Sequence, residues 1–362
     1  TFSKKMSSPQ ASNKIQASYS NIKSVAFGLV DTWNAVENSS GRCVSLRSAF
    51  ASRSEKRATL NTMKEITILQ QLSHPNITGL EKIIKHEKDD TFFLIIDPIT
   101  KTLFDCFCRK LLQKDHIKFI VYQLLVFAKY IHSAGIVHTD LSPKNISISS
   151  DCIIQVTDFT DAISAGSEDV DDEEKEADIT DCHPKFTFHA PEIVLESTHI
   201  TPAADIWSIG CLMGCLLSGQ FVFCGDWYDT HIEKCLEAAG PLSEEDVEAF
   251  HEESIKKRLS SIKITEYKTL KELCPSLSEE ALDLLEGLLR FNPKKRLTVE
   301  QALNHSYVAE HRDHDVEITH SGVVTMPKFN SKDGPFSEFF DNWWENLLNR
   351  KMEMTAFSEP IQ

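Results

Sequence analysis

Ile136-Val137-His138-Thr139-Asp140-Leu141-Ser142-Pro143-Lys144-Asn145, followed closely by Val156-Thr157-Asp158-Phe159-Thr160, carries the densest chemistry in the chain. Asp140 and Asn145 are five residues apart, and Asp158 follows 13 residues after Asn145. One carboxylate in such a set can orient a hydroxyl nucleophile, while an amide oxygen and a second carboxylate hold Mg²⁺ against phosphates. The same residue types are ordinary turn formers, so either string alone also fits a pair of turns.

The strings further along remove that ambiguity. Ala190-Pro191-Glu192 comes 32 to 34 residues past Asp158, then Asp205-Ile206-Trp207-Ser208-Ile209-Gly210, then Asn292-Pro293-Lys294-Lys295-Arg296-Leu297-Thr298. The series resembles the protein kinases, in which H-R-D-x-x-x-x-N, D-F-G and A-P-E occur in that order. The resemblance covers roughly residues 19–310. It implies an α+β, bilobal protein-kinase fold with a small β-rich lobe and a larger helical lobe. It also implies that Glu192 pairs with Arg296 and that Asp205 braces the loop around Asp140.

Within that family the chain looks most like the MAP kinases and their cyclin-dependent cousins. Phe291-Asn292-Pro293 and Glu300 to Val308 are similar to the last helical region of MAP kinases, and Phe223-Cys224-Gly225-Asp226 to the segment leading into their helical insert. Asp313, Asp315 and Glu317 fall where MAP kinases carry an acidic docking patch for basic motifs, although a solvated acidic loop reads equally well there. By resemblance, Asp140 and Ser142 occupy catalytic positions, and Asn145 and Asp158 are the metal ligands. The cofactors implied are ATP and Mg²⁺. Lys23, Val25, Gly28, Val30, Ser45, Arg47, Glu65, Ile96, Asp97 and Ile99 occupy nucleotide-binding positions, with Ile96 guarding the rear of the adenine pocket.

Several of these positions depart from the family pattern. Of the glycine-rich loop only Gly28 remains; Lys23 and Val25 stand where glycines let backbone amides approach phosphate. Arg47, in Val44-Ser45-Leu46-Arg47, replaces the strand lysine, and its planar guanidinium carries the charge with different geometry. Glu65 is the expected partner of Arg47, or else a solvated helix glutamate. Thr139 replaces an arginine that senses an activating phosphate, Ser142 a lysine on the transferring phosphate, and Thr160 a flexible glycine. Thr180-Asp181-Cys182 sits at the T-x-Y position without the tyrosine. Transition-state losses of about 3 kcal/mol each at Arg47 and Ser142 correspond to about 10⁴-fold in rate if additive. Two functions stay open: a pseudokinase or weak kinase acting through docking to signalling proteins, and an active Ser/Thr kinase acting on protein substrates.

Composition frames both. Among 362 residues, 38 Lys+Arg against 54 Asp+Glu give a net charge of −16, which argues against nucleic-acid or anionic-membrane binding. Hydrophobic residues at 41% are enough for a substantial core. Ten scattered cysteines with no C-x-x-C pair give neither a disulfide framework nor a zinc site. With no apolar signal-peptide core at Thr1–Lys5, a cytoplasmic or nuclear protein is expected.

Periodicity predicts the outline. Residues 1–18 read as a loose leader, 19–97 as the β-rich lobe, 98–310 as the helical lobe and 311–362 as an extension packing on the lobes. Helices are predicted over 58–72, 115–134, 206–217 and 277–289, the third buried on all sides. Eight carboxylates against one lysine over 167–178 predict a solvated loop. The tail from Phe336 to Leu348 is amphipathic and is expected to pack on the lobes rather than bind a membrane.

Overall fold

Strand β5 (Thr91–Ile96), Thr-Phe-Phe-Leu-Ile-Ile, has side chains alternating between two faces, and all six of its residues are buried. A strand apolar on both faces must lie inside its sheet and be covered on both sides. In a computed structural model, which describes residues 12–25, 32–86, 90–166, 184–225 and 228–349, it does so. Helix α1 (Asn13–Ser18) leads into β1 (Tyr19–Ser24), β2 (Thr32–Glu37) and β3 (Cys43–Phe50). Helix α2 (Lys56–Gln71) and β4 (Leu80–Lys85) then precede β5, and the five strands form an antiparallel sheet in the order β1-β2-β3-β5-β4.

Phe92, Leu94 and Ile96 pack with Leu60, Met63 and Ile66 of α2 on one face, and Phe93 and Ile95 pack with Ile15 and Tyr19 on the other. The leader expectation is therefore corrected from Ser12 onward. Ser12 Oγ accepts the Ile15 N–H as a helix cap, and Ile15, fully buried, covers the sheet.

The second part is mainly helical: α3 (Leu103–Cys108), α4 (Lys114–Ser133), α5 (Pro191–Val194), α6 (Ala203–Ser218), α7 (Tyr228–Ala239), α8 (Glu244–Glu248), α9 (Glu253–Ser261), α10 (Leu270–Leu273), α11 (Glu279–Leu288) and α12 (Val299–Leu303). Between α4 and α5 lie β6 (Ile136–Val137), β7 (Ile146–Ile148), β8 (Ile154–Val156) and β9 (Ile163–Ser164), paired β6 with β9 and β7 with β8. As its continuous apolar run requires, α6 is buried from Ala204 to Leu216, and Gly219, with φ of 73°, ends it in the left-handed cap.

The tail folds as α13 (Phe336–Asn349), and Phe340 and Leu347 enter the core shared by α2 and the sheet. Trp344 meets Phe92 edge-on at 5.1 Å. No helix among the described residues is long and apolar enough to cross a membrane. The acidic run 167–178 and Thr180–Cys182 lie outside the described residues.

Candidate active site

The loop around Asp140 is held by a buried carboxylate. Thr139 adopts a left-handed backbone, φ 66°, a conformation that a threonine keeps only under constraint. Asp205, fully buried at the start of α6, supplies that constraint. Its Oδ1 accepts the Thr139 N–H at 2.9 Å, and its Oδ2 accepts the His138 N–H at 2.9 Å and His132 Nε2–H at 2.8 Å. Burial pushes this carboxyl upward, but the His132 bond and charge outweigh it and hold the group below the ordinary carboxylate range. His138 is a core histidine, its ring 5.0 Å from that of Phe159.

Asp140, Asn145 and the segment carrying Asp158 are tied together by hydrogen bonds. Asn145 Nδ2 donates to Asp140 Oδ2 at 2.8 Å and to the Asp140 carbonyl at 3.1 Å. Thr157, next to Asp158, donates its backbone N–H to the Asn145 carbonyl at 2.9 Å. Ser142 lies in the turn between, its carbonyl accepting the Asn145 N–H. The other Asp140 oxygen accepts His189 Nε2–H at 3.2 Å.

Arg47 is the hub. From β3 its guanidinium forks onto both Glu65 oxygens, at 2.5 and 2.8 Å, and also donates to the Thr157 carbonyl at 2.5 Å and Asp158 Oδ1 at 3.1 Å. Glu65, fully buried on α2, also accepts the Phe159 N–H at 3.2 Å. The expected Arg47–Glu65 pair is present, and the solvated alternative for Glu65 is excluded. Burial drives Glu65 upward from its ordinary range against the pull of Arg47. Burial also raises Asp158, but Arg47 and the Thr160 N–H and hydroxyl, at 3.0 and 2.7 Å on Oδ1, bring it below the usual value.

Two side-chain oxygens here, Asn145 Oδ1 and Asp158 Oδ2, could hold the cation of a magnesium nucleotide. Mg²⁺ takes near-octahedral oxygen ligation. Asp158 Oδ1 carries three donors, one of them a cation, and Asn145 directs its amide hydrogens at Asp140, which leaves the second oxygen of Asp158 and the amide oxygen of Asn145 as the ligands on offer.

The remaining nucleotide-binding positions are dispersed or internally bonded. Lys23 is exposed on β1, and Val25 bonds its N–H to the Thr32 carbonyl and packs on the sheet core. Gly28 and Val30 lie outside the described residues. Ile96 is buried at the end of β5. Asp97 Oδ2 accepts the Gly79 N–H at 2.8 Å and Gln155 Nε2–H at 3.0 Å. Ser45 Oγ accepts the Ile99 N–H at 2.9 Å and donates to Asn34 Oδ1 at 2.6 Å, while Asn34 Nδ2 donates to the Ile99 carbonyl at 2.8 Å.

Sequence reasoning missed Asn34 and His189. The signal for Asn34 was a polar residue in β2 opposite Ser45, which becomes visible only with the strand register. His189 directly precedes Ala190-Pro191-Glu192, so its place follows from the anchoring of that string: Arg296 forks onto Glu192 at 2.6 and 2.7 Å, as expected.

At the acidic patch, Asp313 and Asp315 are exposed, but Glu317 is corrected. Its buried carboxylate takes Arg312 Nε–H and Nη2–H at 2.9 and 2.7 Å and lies 3.7 Å from Lys129. Glu317 is a structural anchor that the charge pattern alone could not separate from its exposed neighbours.

The protein kinase domain model matches residues 26–308. Over 336 residues the chain is 31% identical to "Extracellular signal-regulated kinase 2" of Dictyostelium discoideum, covering 91% of this chain and 88% of that protein. It is 31% identical over 355 residues to "Mitogen-activated protein kinase 15" of Xenopus laevis, covering 96% of this chain and 60% of that longer relative. It is 32% identical over 339 residues to "Mitogen-activated protein kinase PMK1" of Pyricularia oryzae, covering 92% and 90%.

Proposed function

This chain belongs to the protein kinase family, on its MAP kinase-like branch, and we propose that it works there as a pseudokinase or very weak kinase whose output in signalling is docking. One observation carries the reading: Arg47 is bound between Glu65 and Asp158. The family as a whole uses ATP with Mg²⁺, and the cation supplies charge neutralisation at the transferring phosphate. Here the guanidinium neutralises the carboxylate that would hold that ion. Asp140 holds Asn145 on one oxygen and His189 on the other, so a substrate hydroxyl would share it with two donors already in place. Ser142 adds no positive charge to compensate.

Docking rests on the exposed carboxylates Asp313 and Asp315, which suit a basic linear peptide. The second reading, an active Ser/Thr kinase, is favoured by the linkage of Asp140, Asn145 and the segment carrying Asp158 beside an intact Arg47–Glu65 pair. One paired assay separates the two. Radiolabelled phosphate incorporation from Mg-ATP is expected to match that of Asp140→Asn, while a basic peptide binds both proteins equally and binds Asp313→Asn/Asp315→Asn several-fold more weakly. Incorporation well above the Asp140→Asn background overturns the pseudokinase reading. Unchanged peptide binding in the neutralised variant removes the docking patch.

A further inference from the structure

The segment that joins the sheet to the helical part has few backbone groups to offer a bound base. The Asp97 N–H bonds to the Gly79 carbonyl at 3.3 Å, and Pro98 has no N–H. Ile99 therefore carries the first N–H and C=O on one residue that could meet a planar ring bearing an acceptor beside a donor.

Both groups are already taken, and in a closed ring. The Ile99 N–H donates to Ser45 Oγ, the Ser45 hydroxyl donates to Asn34 Oδ1, and Asn34 Nδ2 donates back to the Ile99 carbonyl. The last link joins residues 65 apart in sequence. Ser45 is fully buried and Ile99 is 1% exposed, so water cannot readily replace a lost partner. To Ile99, the hydroxyl and amide present one acceptor and one donor. The edge of adenine, with N1 beside its exocyclic amine, presents the same pair. A base meeting Ile99 must break two of these hydrogen bonds and can return two, while the buried Ser45 hydroxyl and the Asn34 amide each lose a partner.

We propose that Asn34 and Ser45 are specificity-determining residues that stand in for the edge of a purine and close the cleft to adenine. This rests on the reading of the cleft above, yet it concerns the base end, which neither Arg47 nor a metal touches.

The test uses adenosine, which has no phosphate, in EDTA, with binding to the full chain followed by calorimetry. No saturable binding to the unmodified protein is expected at millimolar adenosine. Asn34→Ala/Ser45→Ala is expected to gain at least about tenfold in affinity, or about 1.4 kcal/mol. Ser45→Ala alone, a smaller change that keeps the Asn34–Ile99 bond available, is expected to gain a lesser amount and carries the test if the double variant melts early. Unmodified protein that binds adenosine as tightly as the variants overturns the proposal. Folded variants with no gain overturn it too. Adenosine binding without phosphate transfer removes this gate and leaves the pseudokinase reading standing, whereas Asp140-dependent transfer removes that reading.

Discussion

Arg47→Ala is expected to lower the unfolding free energy by about 3–5 kcal/mol, a large share of the roughly 5–15 kcal/mol that holds a domain together. A strand cation whose main work is to meet ATP would cost activity when removed and little stability. Arg47 is instead 6% exposed and donates to Glu65, the Thr157 carbonyl and Asp158, which tie β3 and α2 to the segment after β8. Truncation strands the buried Glu65 carboxylate without its cation, and that desolvated charge sets the cost. Adding Glu65→Leu to Arg47→Ala is then expected to recover about 1–3 kcal/mol, because no buried charge is left unpaired there. Arg47→Lys is expected to fall in between, since an ammonium cannot fork onto two oxygens. Urea unfolding of the set checks this, and a loss below about 1 kcal/mol for Arg47→Ala contradicts it.

Arg296→Ala is expected to cost a similar amount, about 4 kcal/mol, for related reasons. Its side chain is inaccessible to solvent, and Glu192 is nearly so. Beyond the two bonds to Glu192, it donates to the carbonyls of Arg290 at 2.7 Å, Ala203 at 2.8 Å and Phe291 at 3.1 Å, and its guanidinium lies 5.0 Å from the Trp207 ring. All of its donor capacity is therefore engaged, and Arg296→Lys, with three donors and no plane, is expected to lose about 2 kcal/mol or more. The effect reaches the cleft. Glu192 anchors α5, which begins two residues after His189, the donor to Asp140. Thermal melts read the stability loss, and hydrogen exchange at α5 and α6 reads its location. A lysine variant as stable as the parent contradicts the fork.

Much of the framework was legible because it is written in local pattern. The helix predicted over 58–72 is Lys56–Gln71, and that over 115–134 is Lys114–Ser133, since apolar spacing reports the buried face directly. The Arg47–Glu65 and Glu192–Arg296 pairs followed from the order of the motifs. What escaped depends on contacts across the fold. Arg47 reaches Asp158 over 111 residues, and His189 reaches Asp140 over 49. The burial of Ile15 and of Glu317 likewise comes from neighbours supplied by distant elements, so a polar-looking leader and an acidic loop concealed anchored residues. Composition reports charge, but not which charge is enclosed.

The most direct measurement is the melting temperature of the full chain as Mg-ATP is added to millimolar levels, with EDTA-ATP and Asp158→Asn as references. A ligand at about 100 times its dissociation constant adds about 2.7 kcal/mol, enough to raise the midpoint by several degrees. With Asp158 held by Arg47 and Thr160, and Ile99 by Asn34 and Ser45, no magnesium-dependent rise is expected. A rise that requires magnesium and disappears in Asp158→Asn would contradict a cleft whose polar groups are bonded to one another.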